Sequence, residues 1–356
     1  MKKLIIMAIV LTLLTFLLPV MAVWGMSGED RESDVDVIPE NAVEAAGTVT
    51  IDSDEDSTSS TNTAKDIDSP LTGKADREIY VSVEIDGRVE TMTLQYYLLG
   101  VVSAEMPASY PTEALKAQAV AARTYTYSRM LAALAGKNVH DSADVCTNPG
   151  HCKAYIDWEQ QTDVWEEIGR TDYIDKIADA VMSTDGEVML YDSKPIVAVF
   201  HAASGDYTEN AKDIWGSDVP YLVSVESPNG ADYKKTITIS AEEFQEMIYN
   251  EYPDALLTGE PSEWFGEIVR TQAGGVESII VGGVEVTGKE MREIFDLPST
   301  NFDAIPKKNT IVFNTKGYGH CVGMSQYGAR ALALKGKNYR DILHWYYTDV
   351  DIRKLT

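Results

Sequence analysis

Between Ile79 and Ile85 apolar and polar residues alternate, Asp86-Gly87 interrupts, and the alternation returns over Arg88 to Leu94. Period-two patterning around an Asp-Gly step predicts a β-hairpin. The apolar run Gln95 to Ala104 has helical character and stops before Pro107. Pro111-Thr112 then opens a helix predicted to reach about Leu134, with Gly136 as its stop. Seven alanines in that helix (114, 117, 119, 121, 122, 132 and 133) permit close packing on its neighbours. Gly186 to Phe200 reads as two strands joined at Asp192-Ser193. Ser240 to Glu243 and Thr287 to Glu290 match the helix-capping box. Between these caps, Val276 to Val286 resembles a hairpin around Gly282-Gly283. A strand over Thr310 to Phe313, a glycine-rich loop, and helices near Ser325 to Leu334 and Tyr339 to Tyr347 complete the pattern. Helices and strands mix without βαβ alternation, so the expected fold class is α+β, with antiparallel strands.

The N-terminal seventy residues read differently. Lys2 and Lys3 precede an uncharged apolar run from Leu4 to Gly25, long enough to span a bilayer core. The positive flank stays inside, so residues 27 onward are expected outside the cytoplasm. A cleaved signal peptide is the rival reading. The length of the run and the poor cleavage site Val20-Met21-Ala22 favour an uncleaved transmembrane anchor over residues 1–26. Residues 27–76 read as an acidic, disordered linker. Ser27 to Pro70 holds thirteen acidic residues against Arg31 and Lys65. Such a stretch buries too little apolar surface to offset chain entropy, and its charges extend it. Residues 77–356 form the expected folded, extracytoplasmic domain, with 228–309 as an insertion or second lobe.

Charge narrows the function. The chain of 356 residues carries a formal net charge of −26, from 56 acidic and 30 basic residues. That excludes nucleic acid as a partner, because such binding rests on Lys and Arg neutralising phosphates. Three cysteines in an exported chain leave at least one unpaired, so this is no disulfide scaffold.

Four constellations carry candidate chemistry. The first is Val102-Ser103-Ala104-Glu105-Met106-Pro107, followed by Thr112-Glu113-Ala114-Leu115-Lys116-Ala117-Gln118-Ala119-Val120-Ala121-Ala122-Arg123-Thr124-Tyr125. A Glu105 held among Val, Ala, Met and Pro loses water, which disfavours its charged form and suits a general acid. On composition alone, the bland reading as a helix-end residue is the favoured one. Arg123, deep in the alanine-rich run, is a candidate for facing the cleft and binding a sugar carboxyl or lactyl group; the alternative places it on a solvent face. The second constellation is His201 to Asn210, with Ser204, Tyr207 and Glu209, followed by Trp215 and Pro220-Tyr221-Leu222. Aromatic side chains among polar ones suit sugar binding, and Glu209 is an alternative acid. The bland reading makes Trp215 and Tyr221 core residues and Thr208-Glu209-Asn210 a turn cap. The third is Gly317-Tyr318-Gly319-His320-Cys321-Val322-Gly323-Met324-Ser325-Gln326-Tyr327-Gly328-Ala329. Its glycines permit close backbone approach, and His320, Ser325, Gln326 and Tyr327 offer polar contacts. Adjacent His320 and Cys321 do not make a cysteine hydrolase, since nucleophile and base are normally remote in sequence. The fourth places His140, Cys146, His151 and Cys152 within thirteen residues. Cys and His are preferred zinc ligands, while a Cys146–Cys152 disulfide is the alternative in an exported protein.

The first three motifs resemble those of the stage II sporulation protein D family, lytic transglycosylases that cut peptidoglycan glycan strands during spore engulfment. The resemblance spans roughly residues 93–155, 200–225 and 317–350, in order. It implies that Glu105, in the A-E-M-P motif, is the catalytic acid and then base. A single carboxylate suffices, because the sugar's own 6-hydroxyl attacks C1 and leaves a 1,6-anhydro end; other glycosidases need two. It further implies a structural zinc held by His140, Cys146 and Cys152, with His151 as fourth candidate. The implied partners are glycan strands stripped of stem peptides, an amidase (stage II sporulation protein P) and a membrane protein (stage II sporulation protein M). The implied location is the engulfing septal membrane. Asp206 and Cys321 stand where the family pattern has glycine. Relatives of this domain enhance a separate amidase, so a non-catalytic glycan-binding role is the alternative; a zinc-dependent amidase or peptidase is a third.

Overall fold

The computed structural model describes residues 71–228 and 233–355. The expected anchor, most of the acidic linker and the expected cleavage site lie outside these residues. No helix among the described residues is long and apolar enough to cross a membrane.

The chain opens with strands β1 (Tyr80–Ile85) and β2 (Arg88–Thr93), paired antiparallel as the Asp-Gly step predicts. Asp86 and Gly87 both take positive φ, 49° and 74°, which matches the right-handed twist of the strands. Helix α1 (Leu94–Glu105) starts on a Thr93 cap, whose Oγ1 accepts from the Tyr96 N–H. Helix α2 (Thr112–Leu134) starts after Pro111 and stops where Gly136 turns left-handed, φ 72°. Its alanines let α1 and the helices described next approach from all sides, and residues on every face of α2 are buried. Strand β3 (Val145–Cys146) adds to β1 in parallel, where antiparallel strands were expected.

Two helices follow that the apolar pattern did not announce, α3 (Trp158–Glu167) and α4 (Thr171–Met182). Helix α3 buries only Trp165, so it shows no apolar stripe. Strands β4 (Glu187–Tyr191) and β5 (Lys194–Pro195) join through Asp192-Ser193, both at positive φ. Then come β6 (Phe200–His201) and the short α5 (Ala211–Trp215).

A second, smaller core begins at β7 (Lys234–Ser240) and α6 (Ala241–Glu251). It continues through β8 (Phe265–Arg270), β9 (Val276–Val281), β10 (Val284–Thr287), α7 (Gly288–Ile294), β11 (Phe302–Pro306) and β12 (Thr310–Lys316). Two antiparallel sheets, β10-β9-β8 and β11-β12-β7, enclose its apolar side chains. Phe244 stacks on Phe295 at 4.9 Å, and Phe295 packs on Phe313 at 5.1 Å. Such pairs each add about 0.5–1.5 kcal/mol beyond area burial. This lobe therefore has its own apolar centre, and it extends past the anticipated limit at Asn309 to Lys316.

The chain then returns to the first core through β13 (Met324–Ser325), α8 (Gln326–Leu334), α9 (Tyr339–Tyr346) and β14 (Asp351–Lys354). Strand β13 pairs in parallel with β6, and β14 pairs with β4. The linker boundary is also earlier than Arg77. Leu71 is buried in the first core, and buried Asp76 binds Arg123.

Candidate active site and metal centre

The structure brings the first and third motifs together at Glu105, the last residue of α1. Its Oε1 accepts from the Ala154 N–H at 2.8 Å, and its Oε2 accepts from Gln326 Nε2 at 3.3 Å. The carboxylate is half-buried, where the local sequence predicts an apolar pocket. Gln326 opens α8, and Ser325 caps that helix by accepting from the Gly328 N–H. The β6–β13 pairing sets Met324 opposite Phe200 and Ser325 opposite His201, which seats the second motif beside the third. The Tyr327 N–H donates to Ala202 O at 3.0 Å and continues the seam.

Ala154 reaches Glu105 because α1 has no side chain at Gly100. A Cβ there would collide with the Tyr155 ring and the Ile156 carbonyl oxygen. Tyr155 stacks on Tyr97 at 5.7 Å, and the Ile156 N–H donates to Gly100 O. One residue before Ala154, the buried Lys153 ammonium lies 3.9 Å from the Phe200 ring centroid and 4.2 Å from that of Tyr125. Both are cation–π contacts.

Cys152, one residue earlier still, belongs to a cluster that can hold a metal ion. The ligand atoms of His140, Cys146, His151 and Cys152 all lie within 4.8 Å of one another. His140 Nε2 is 3.2 Å from Cys152 Sγ, and His151 Nδ1 is 3.4 Å from Cys146 Sγ. Strand β3 positions Cys146. An Asn148 turn, which accepts from the N–H groups of Gly150, His151 and Cys152, positions His151 and Cys152. The cysteines are unbridged thiols, contrary to the disulfide alternative. Cys146 donates its S–H to Cys152, which pushes the Cys152 thiol well down and Cys146 well up; the two imidazoles add to the first effect. Two sulfurs and two imidazole nitrogens fit a tetrahedral zinc ion. Glu84 lies 3.9 Å from His140 Nδ1, where an outer carboxylate orients a metal-binding imidazole. A cavity of about 390 Å³ on this side is lined by His140 and Asp141 among others, and Glu105 takes no part in it.

Other anticipated site residues sit elsewhere. Arg123 is a correction: it is fully buried and faces no cleft. Its guanidinium binds Asp76 at 2.8 Å, Thr184 Oγ1 and the carbonyls of Val181 and Glu187. Burial pushes the Asp76 carboxyl up, and Arg123 counters it. Ser325 and Ser204 are fully buried, so neither hydroxyl is open to a ligand. Glu209 is 2 % exposed. Its Oε1 accepts from Thr271 Oγ1 at 3.0 Å and the Gly275 N–H at 3.1 Å, both in the β8–β9 turn of the second lobe. Burial raises the Glu209 carboxyl above the usual range. It fastens the lobe to the second motif, a role hidden from sequence because its partners lie in a segment with no evident chemistry. Tyr207 is 48 % exposed and available.

His320 packs between Trp215 at 5.2 Å and His201 at 5.6 Å. Burial holds both imidazoles neutral; His201 falls to about 4, and His320 lies well below its ordinary value, with His201 also contributing. The loop carrying His320 has positive φ at every second residue, Gly317, Gly319, Cys321 and Gly323. Cys321, at 63°, takes a conformation suited to glycine. Asp206, the other departure, has no such φ.

The chain is thus a two-core α+β protein with a half-buried glutamate between its first and last helical motifs, beside a Cys/His cluster that could hold a metal ion. Residues 86–191 match the family described as stage II sporulation protein, SpoIID. Stage II sporulation protein D of Bacillus amyloliquefaciens is 38% identical over 271 residues, covering 74% of this chain and 75% of that protein. The Bacillus subtilis protein of the same name is 36% identical over 275 residues, with the same coverage. An amidase enhancer of Bacillus subtilis is 27% identical over 308 residues, 70% of this chain but 39% of that longer protein. This chain belongs to the stage II sporulation protein D family, and its role lies in sporulation.

Proposed function

We propose that this protein is a lytic transglycosylase that cleaves the MurNAc–GlcNAc linkage of peptidoglycan strands stripped of stem peptides. The observation that carries the reading is Glu105, held at a half-open position by two donors far apart in sequence, Ala154 and Gln326. Glu105 gives its proton to the glycosidic oxygen as the bond to C1 breaks. The Ala154 N–H and the Gln326 amide stabilise the carboxylate that forms, as preorganised donors do where charge develops. The same carboxylate then takes the proton of the sugar's 6-hydroxyl, whose oxygen closes on C1. No water enters, and the product is a 1,6-anhydro end.

Zinc at His140, Cys146, His151 and Cys152 would supply structural bracing. The chain's own residues do the rest: Cys152 fixes the start of the segment whose Ala154 N–H orients Glu105. In this reading the protein is anchored by residues 1–26, with its domain facing the engulfing septal space. There it acts beside the amidase stage II sporulation protein P, which strips the strands, and the membrane protein stage II sporulation protein M.

The similarity to an amidase enhancer supports a second reading, glycan binding without cleavage. Mass spectrometry of stripped strands incubated with the protein and with Glu105→Gln separates them. Anhydro ends from the wild type alone support the transglycosylase. Reducing ends mean hydrolysis, and strands bound but intact favour the enhancer.

A further inference from the structure

Gln326, Tyr327 and Arg330 occupy one side of α8, at spacings of three and four residues. Gln326 reaches Glu105. Arg330 is exposed, with its guanidinium carbon 5.4 Å from the Tyr110 ring centroid. Tyr110 itself lies five residues beyond Glu105 and meets Tyr327 edge-on at 6.3 Å. The row continues from Tyr327 to Tyr233 at 6.2 Å and from Tyr233 to Tyr318 at 5.5 Å. All four rings keep some exposed surface. Their steps are comparable to the spacing of successive sugar rings in a strand.

Among the described residues the ion pairs are made by other cations, and Arg330 has none. In a chain of net charge −26, this unpaired arginine stands one helical turn from Gln326, which itself reaches the candidate acid. A guanidinium fork matches a carboxylate in plane, and stacking on Tyr110 preorganises it. A muramic acid unit without its stem peptide carries a free lactyl carboxylate. The same unit with a peptide attached carries a neutral amide.

We propose that Arg330, stacked on Tyr110, binds the lactyl carboxylate of the MurNAc unit seated at Glu105, while the Tyr110–Tyr327–Tyr233–Tyr318 row carries the neighbouring sugars. This rests on the transglycosylase reading for its substrate, and it assigns to one side chain the discrimination between stripped and peptide-bearing strands.

The test uses the full-length protein with two probes, peptide-free GlcNAc–MurNAc oligosaccharides and the same oligosaccharides with the lactyl carboxylate converted to its primary amide. Arg330→Gln should lower kcat/KM on the carboxylate form about tenfold, through KM with kcat unchanged, and leave the amide form as it was. Arg330→Lys should restore part of the preference. Equal losses on both probes, or none on either, overturn the proposal. If the wild type cleaves neither probe, the transglycosylase reading fails, and Arg330 is judged by equilibrium binding of the pair. A carboxylate preference lost in Arg330→Gln then supports the assignment, and the absence of any preference in the wild type overturns it.

Discussion

Two glutamates drawn from neighbouring motifs have opposite circumstances. Glu105 ends a helix at a half-open position, and both its oxygens meet donors that leave the carboxyl accessible. Glu209 is sealed between two apolar cores and holds a turn of the second lobe. Both looked like candidate acids in sequence. What separates them is access: a proton donor must touch its substrate, whereas a buried carboxyl with a raised value works as a fastener. The first is open to a substrate, and the second is committed to assembly.

Substitution at each should break the comparison in a different observable. Glu105→Gln should abolish strand cleavage by about 10²–10⁴-fold, the usual contribution of a positioned acid–base group. Its melting temperature should stay close to the wild type, since Gln keeps an oxygen for the Ala154 N–H. Arg123→Ala should do the reverse: leaving Asp76 buried and unpaired costs about 3–5 kcal/mol in denaturant unfolding, while Glu105 and its donors remain in place. A loss confined to KM with normal stability would return Arg123 to the substrate. Glu209→Ala should cost about 1–3 kcal/mol by stranding Thr271 and the Gly275 N–H.

The pH dependence sharpens the same contrast. The folded-state value of Glu209 is raised, so its contribution is complete below the ordinary value of 4.5 and is lost as pH rises through the folded value. Glu209→Gln should therefore remove a loss of stability on raising the pH. His201 is depressed from 6.5 to about 4, so its penalty grows as pH falls between those values, the opposite slope. Thermal melts of the wild type and Glu209→Gln across pH 4–7 read both. The smallest effect is expected at Cys321→Gly. Relief of about 1–3 kcal/mol of left-handed strain is offset by loss of the buried sulfur and by added chain entropy. A loss of several kcal/mol would show that the thiol has a further partner, and a gain of that size would show that the strain is larger than this.

What was legible in sequence follows the range of each interaction. The β1–β2 hairpin, α1 and α2 are encoded by local signals: an Asp-Gly turn, a Pro start and a Gly stop. The Cys/His cluster could also be found, because its four residues fall within thirteen positions and their chemistry is distinctive. Helix α3 escaped because it buries a single residue. The fates of Arg123 and Glu209 escaped for a different reason. Their partners lie 47 residues upstream at Asp76 and 62 residues downstream at Thr271, and no spacing rule connects such positions. Gly100 showed only that a side chain was missing; the loop that needs the space arrives from residues 154–156.

The Glu105–Gln326 contact spans 221 residues of chain. A chain stopped between residues 154 and 326 carries the acid and its first donor, the Ala154 N–H, without the second donor from Gln326. The fully oriented carboxylate is therefore reached only once translation has passed residue 326 and the chain has folded back on itself.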